Sequence, residues 1–178
     1  MSHVNQATRE ITCTVLYGGP AGSGKTTTLR YLGGRARTGQ AIRVTRSAAD
    51  ILSLDLGAVS GFSVRFQVYA LTGETSPETR QLMLNGADGI VFVADSQAVR
   101  FDENRAVLQE LQRDVARDLP IVMQYNKQDL PRELLLPTVE LAAALAPSRA
   151  GFPSDALHGA GVFEAFTSLS SQVLARLA

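Results

Sequence analysis

The chain has 178 residues, and its 17 acidic and 17 basic side chains cancel in net charge. This length suits one domain over residues 1–178, and the balanced charge disfavours a nucleic-acid or anionic-membrane partner. The single cysteine, Cys13, lies in an apolar run and fits a reduced core residue of a cytoplasmic protein. Neither end carries a signal-peptide or lipidation pattern, so we expect no lipid anchor.

Short apolar runs alternate with helix-like stretches, which predicts a mostly parallel sheet covered by helices on both faces. The predicted elements of the first half are, in order, strand 11–17, helix 25–32, loop 40–50, strands 51–56 and 63–71, loop 73–77, and a helix ending near residue 85. Strands 51–56 and 63–71 are predicted to form an antiparallel pair. Gly33-Gly34 is predicted to stop the first helix.

The second half continues the same alternation. Its predicted elements are, in order, strand 89–94, helix 99–119, strand 121–125, helix 138–146, a short strand near residue 152, and helix 162–177. We therefore expect an α/β three-layer sandwich. Its sheet has six to seven strands, with one antiparallel strand pair, and about five helices flank it.

A phosphate-binding motif lies between the first predicted strand and the first predicted helix. Residues 19–26 read Gly-Pro-Ala-Gly-Ser-Gly-Lys-Thr, which matches the pattern G-x-x-x-x-G-K-[ST] of P-loop NTPases. Lys25 is predicted to bridge the terminal phosphates, and the Thr26 hydroxyl to bind Mg²⁺. Three glycines let backbone N–H groups converge on phosphate oxygens: Gly19, Gly22 and Gly24.

A second motif, Asn126-Lys127-Gln128-Asp129, follows the predicted strand 121–125 and favours guanine. The Asp129 carboxylate can accept hydrogen bonds from N1–H and the 2-amino group of guanine, whereas adenine offers it an acceptor. Lys127 is predicted to lay its aliphatic stem along the base, and Asn126 to tie this loop to the phosphate loop. Both motifs follow strands of the predicted sheet, and open α/β sheets bind ligands at that edge.

A third loop, Ser154-Asp155-Ala156, precedes the last predicted helix, and its Ala156 N–H is a candidate donor to guanine O6. An ATP-using P-loop enzyme or kinase remains an alternative at this point. Its acidic Mg²⁺ partner would be Asp95, at the end of the predicted strand 89–94. Equal affinity for ADP and GDP would favour that alternative.

Together these residues resemble the Ras-like small GTPases, and more closely the bacterial MglA-type polarity GTPases. The resemblance covers nearly the whole chain and includes the segments 54–57, 61–62, 88–96 and 161–164. It implies a Ras-like P-loop fold that binds GTP or GDP with Mg²⁺. It also implies further nucleotide contacts at Ala21, Ser23, Thr27, Gly73 and Ser154.

What the family implies is a switch in which GTP holds two loops against the γ-phosphate and hydrolysis releases them. In MglA-type proteins the partner is a roadblock/LC7-type, MglB-like dimer that stimulates hydrolysis, and the switch serves cell polarity or motility. In the first switch, the resemblance makes Ser47 a candidate Mg²⁺ ligand, with Thr45 as its competitor. It makes Arg46 a candidate arginine finger supplied in cis.

The second switch departs from the family pattern. Ras-like proteins carry Asp-x-x-Gly-Gln there and MglA-type proteins replace the Asp with Thr, whereas this chain reads Ala70-Leu71-Thr72-Gly73-Glu74. Ala70 can hold no metal-bound water. Glu74 replaces the family glutamine that orients the attacking water. At about 5 Å it would be repelled by a phosphate charge by roughly 3 kcal/mol at an effective dielectric near 20. A carboxylate can still act as a general base, so both a slow GTPase and a non-hydrolysing GTP-dependent binding module stay open.

Overall fold

The computed structural model of the chain describes residues 2–35, 49–73, 75–115 and 118–177. Within these ranges lie seven strands and five α-helices. They are β1 (His3–Asn5), β2 (Glu10–Gly18), α1 (Lys25–Arg35), β3 (Ala49–Val59), β4 (Phe62–Leu71), α2 (Pro77–Gly86), β5 (Gly89–Asp95), α3 (Phe101–Asp114), β6 (Ile121–Asn126), α4 (Thr138–Leu145), β7 (Gly151–Pro153) and α5 (Val162–Ala175). Two single turns of 3₁₀-helix cover Ala98–Arg100 and Arg132–Leu134.

The strands form one mixed sheet in the order β3-β4-β2-β5-β6-β7, with β1 paired to β2. The run from β4 through β2, β5 and β6 to β7 is parallel, which confirms the predicted, mostly parallel α/β sheet. The antiparallel pair β3–β4 was predicted. The second antiparallel pair, β1–β2, was not, because the polar residues of β1 give no strand pattern.

Helices cover both faces of the sheet, and each face has its own apolar cluster. On one face, side chains of α1 and α5 pack on the central strands. On the other face, side chains of α2, α3 and α4 do so. Because helices cover both faces of the sheet, all seven residues of β5 are buried. No helix in the described ranges is both long and apolar enough to cross a membrane.

Two helices differ from their predicted bounds. Helix α1 continues through Gly33-Gly34 to Arg35. Burial of Leu29 and Leu32 against the sheet outweighs the cost of about 1 kcal/mol for each helical glycine. Helix α3 is shorter than the predicted 99–119, because a 3₁₀ turn precedes it and the extended Val115 ends it.

The β3–β4 hairpin has a two-residue turn and a defined register. Ser60 and Gly61 have φ of +50° and +84°, as a tight hairpin turn requires. Towards the other end of the hairpin, Asp50 pairs with Ala70 across the two strands. The sequence had assigned Asp50 to a loop, whereas the structure has it in β3.

The carboxyl ends of the parallel strands β2, β5 and β6 lie at one edge of the sheet. Asp95 pairs with Asn126 there, and β2 ends at Gly18, next to the phosphate-binding motif. The strand order reverses at β2, which has β4 on one side and β5 on the other. Such a reversal leaves a crevice between the loops that leave neighbouring strands, and ligands of open α/β sheets bind there.

Candidate functional site

The loop between β2 and α1 has backbone angles that favour glycine. Gly19, Gly22 and Gly24 have φ of +135°, +73° and +105°. A Cβ at Gly19 would lie 2.2 Å from the carbonyl oxygen of Val93, and one at Gly24 would lie 2.1 Å from Asn126 Nδ2. A Cβ at Gly22 would meet nothing within 4 Å. The loop therefore packs tightly on its outer side and leaves space beside the N-terminus of α1, where free N–H groups favour an anion.

The Lys25 ammonium lies against this loop. Its Nζ donates to the carbonyl oxygens of Gly19 at 2.9 Å and Pro20 at 2.7 Å. Burial lowers the pKa of Lys25 to about 8, and the charge of Glu103 partly offsets that fall. A buried cation is stabilised by a neighbouring anion, which replaces the solvation that the cation has lost. The loop and Lys25 therefore fit phosphate groups.

Asn126, the last residue of β6, connects three loops through one side chain. Its Nδ2 donates to the carbonyl oxygen of Ser23 at 2.8 Å, which ties β6 to the phosphate loop. Its Oδ1 accepts from Ala156 N at 2.9 Å and from Ser154 Oγ at 3.2 Å. The Ala156 amide, expected to donate to guanine O6, thus already has an acceptor in the protein. All four groups are buried, so these hydrogen bonds fix the loops relative to one another.

The charged residues after Asn126 differ in their surroundings. Lys127 has φ of +71°, and its Nζ lies 2.7 Å from Asp95 Oδ2. Asp95 is 1% exposed and also accepts two hydrogen bonds from Gln97 Nε2. Its carboxylate is engaged with protein groups, which disfavours the metal role required by the ATP-enzyme alternative. Asp129, in contrast, is exposed and has no hydrogen bond or ion pair within the described residues.

Two adjoining cavities connect the motifs. One, of about 290 Å³, is lined by the phosphate loop and by Leu71, Thr72 and Gly73. The other, of about 380 Å³, is lined by residues that include Asn126, Lys127 and Asp129. Three residues line both cavities: Gly22, Gly24 and Thr27. A ligand with phosphates at one end and a flat heterocycle at the other fits this two-part cleft.

Comparison with known proteins agrees with this geometry. The chain matches the ADP-ribosylation factor (Arf) family over residues 1–173. It is 35% identical over 193 aligned residues to the mutual gliding-motility protein MglA of Myxococcus xanthus (strain DK1622), covering 99% of this chain and 98% of that protein. The chain belongs to the Arf/Ras-like small GTPase family. This family implies binding of guanine nucleotide and Mg²⁺.

The metal end of a small GTPase cleft has an unusual carboxylate here. Thr26 Oγ1, the expected Mg²⁺ ligand, donates to Asp50 Oδ2 at 2.5 Å. Asp50 is 7% exposed and pairs across β3–β4 with Ala70, the position at which Ras-like proteins carry aspartate. The carboxylate missing from β4 is thus present on the neighbouring strand. A hydroxyl and a carboxylate are hard oxygen donors that fit Mg²⁺ with several waters.

Reasoning from the sequence missed Asp50, although a signal for it was present. Asp50, Leu52 and Leu54 alternate along β3, and all three are buried. A carboxylate in line with buried leucines has to have a polar partner. The second signal was Ala70, an apolar residue at the position where Ras-like proteins carry aspartate.

Four of the predicted switch residues, Thr45, Arg46, Ser47 and Glu74, lie outside the described residues. Gly73, a predicted nucleotide contact, lines the phosphate cavity. A larger cavity, of about 830 Å³, lies elsewhere, between the β3–β4 hairpin and α5. None of the predicted nucleotide contacts lines it.

Proposed function

We propose that this small GTPase is a guanine-nucleotide switch that binds GTP and GDP with Mg²⁺ and hydrolyses GTP slowly. The observation that carries the proposal is the hydrogen bond from Asn126 Nδ2 to the Ser23 carbonyl. It joins the cavity lined by the phosphate loop to the cavity lined by the exposed carboxylate of Asp129. The phosphate loop and Lys25 bind the phosphates. Asp129 binds the guanine edge while the stem of Lys127 lies against the base.

At the metal end, the Thr26 hydroxyl would ligate Mg²⁺ together with Ser47 or Thr45, and Asp50 would support the site without ligating the ion directly. Bound there, Mg²⁺ would supply positive charge that stabilises the negative charge of the phosphates. Asp50 acts by fixing the Thr26 hydroxyl and by accepting hydrogen bonds from metal-bound water. Its support is the contact between Thr26 and Asp50, together with the apolar Ala70 that pairs with Asp50 across the hairpin.

Asp50→Asn is expected to raise the Mg²⁺ concentration needed to retain GDP by roughly 10- to 100-fold, as removal of a metal-supporting carboxylate does elsewhere. The amide keeps the shape and loses the charge. The measurement is the release rate of a fluorescent GDP analogue across a titration of free Mg²⁺. Asp55→Asn, which removes the same charge from farther along β3, is the control. Equal Mg²⁺ dependence of Asp50→Asn and wild type would exclude Asp50 from the metal site.

Hydrolysis is expected to be slow because Glu74 stands where the family has glutamine. Repulsion of roughly 3 kcal/mol corresponds to a rate loss of about a hundredfold. Protonation of the carboxyl beside the phosphate would make this rate loss smaller. Lys25 and the cis residue Arg46 supply positive charge to the transition state. The second candidate is a GTP-dependent binding module without turnover, favoured by the loss of the acidic residue at Ala70 and by Glu74.

Glu74→Gln is expected to accelerate single-turnover GTP hydrolysis by about 10- to 100-fold, because it removes that repulsion and restores an amide that orients water. Glu78→Gln, an exposed site at the start of α2, is the control. Hydrolysis is followed as phosphate release from preloaded GTP. A slower Glu74→Gln enzyme would instead assign the general-base role to Glu74. Complete absence of turnover in wild type, alone and with its partner, would favour the binding module.

The partner we propose is a roadblock/LC7-type, MglB-like dimer that stimulates hydrolysis in the cytoplasm, in a polarity or motility pathway. The support is similarity along nearly the full length to a protein named for gliding motility. The single-turnover measurement above, repeated with a purified MglB-like roadblock dimer, tests this part of the proposal. Unchanged phosphate release with that protein would argue against it.

A further inference from the structure

A second connection crosses the cleft on the side of β5. It begins at Arg100, the last residue of the 3₁₀ turn that precedes α3. Arg100 Nη2 donates to the carbonyl oxygen of Ala21, the third residue of the phosphate loop, at 2.6 Å. Arg100 Nη1 pairs with Glu103 Oε2 at 2.6 Å, and Arg100 Nε lies 3.7 Å from Asp95 Oδ2. One guanidinium thus contacts the phosphate loop and the end of β5 together.

Asp95 extends this connection to the base side. Its Oδ2 lies 2.7 Å from Lys127 Nζ and is the same oxygen that faces Arg100. The backbone of Asp95 is held as well, because Asn104 Oδ1 accepts from its N–H and Asn104 Nδ2 donates to its carbonyl. The carboxylate is therefore a fixed anion between two cations. One of them belongs to the base motif, and the other contacts the phosphate loop.

We propose that Arg100 is a positioning residue that couples the two ends of the cleft and slows nucleotide release. It does so by holding Ala21 from outside the loop and by sharing Asp95 with Lys127. The inference deepens the proposed nucleotide switch and rests on it. The route is separate from that of Asn126, which ties β6 to the loop at Ser23. A protein that displaced Arg100 would loosen both ends at once.

The shape of arginine explains why this residue type suits the position. A guanidinium presents a planar fork of donors, so it can contact Ala21, Glu103 and Asp95 in different directions. Lysine keeps the positive charge but has a single donor centre. We therefore expect Arg100→Lys to behave more like Arg100→Ala than like wild type.

The test measures dissociation of a fluorescent GDP analogue at saturating Mg²⁺. Arg100→Ala is expected to accelerate release on the order of tenfold, since a charged hydrogen bond to the loop is lost at a partly exposed site. The control is Arg105→Ala, which removes an exposed arginine of α3 whose ion pair is with Asp102. Thermal unfolding of the nucleotide-free proteins separates this effect from a general loss of stability. We expect Arg100→Ala and Arg105→Ala to unfold at similar temperatures.

A double-mutant cycle with Lys127→Ala tests the coupling itself. If Asp95 links the two cations, the double variant releases the analogue more slowly than the product of the single effects predicts, by roughly fivefold. Independent effects that multiply would overturn the link through Asp95. A wild-type release rate in both Arg100→Ala and Arg100→Lys would overturn the positioning role. Failure of wild type to bind GDP would instead contradict the proposed function, so the two failures are distinguishable.

Discussion

Lys25→Ala is expected to lower the affinity for GDP roughly a thousandfold. Lys25 Nζ lies at the phosphate loop, within hydrogen-bond distance of two carbonyl oxygens, and burial lowers its pKa to about 8. A bound diphosphate adds negative charge beside this buried ammonium. Two charge-assisted hydrogen bonds of about 1.5–3 kcal/mol each account for a loss of this size. Calorimetric titration with GDP and Mg²⁺ measures it.

The matched control is Arg30→Ala, which removes an exposed positive charge from the same helix. Its GDP affinity is expected to stay close to that of wild type. Because Lys25 is buried, the Lys25→Ala protein also needs a folding check by circular dichroism. A folded Lys25→Ala protein that binds GDP as tightly as wild type would contradict the assignment of the phosphate cradle.

Asp129→Asn is expected to weaken GDP binding by about 10²- to 10⁴-fold and to create affinity for xanthosine diphosphate. The carboxylate accepts from N1–H and the 2-amino group of guanine, whereas an amide brings its own N–H to that edge and meets a donor. Xanthine carries a carbonyl oxygen in place of the 2-amino group, so it accepts from the amide. Competition of both diphosphates against a fluorescent GDP analogue, and direct titration of the variant, measure the two affinities.

Glu133→Gln provides the comparison, since it removes an exposed acidic charge close by in the chain. It is expected to leave both affinities unchanged. Loss of GDP binding without any gain for xanthosine diphosphate would point to a general disturbance of the loop. Unchanged GDP affinity in Asp129→Asn would remove guanine recognition from Asp129.

The parts of the fold predicted from the sequence were those governed by local patterns. The buried strand β5 is apolar from Gly89 to Ala94, and β6 begins with the apolar run of residues 121–123. The helix bounds were less predictable. Packing of Leu29 and Leu32 carries α1 through two glycines, and no local rule contains that contribution. The pairing of β1 with β2 is likewise tertiary.

The same division applies to the cleft. The phosphate loop is one continuous segment of the sequence, and so is the segment from Asn126 to Asp129. The residue spacing within each segment therefore predicts its chemistry. Asp50 depends on strand register, because only the pairing of β3 with β4 brings it opposite Ala70 and next to Thr26. A short motif carries no information about register.

The central claim is that one cleft binds phosphates at one end and guanine at the other. Its most direct test is calorimetric titration of the nucleotide-free wild-type protein with GDP and, separately, with ADP in the presence of Mg²⁺. The structure predicts tight binding of GDP, with ADP weaker by roughly 10⁴-fold or more. Equal affinities for GDP and ADP, or no measurable binding of GDP, would contradict the account.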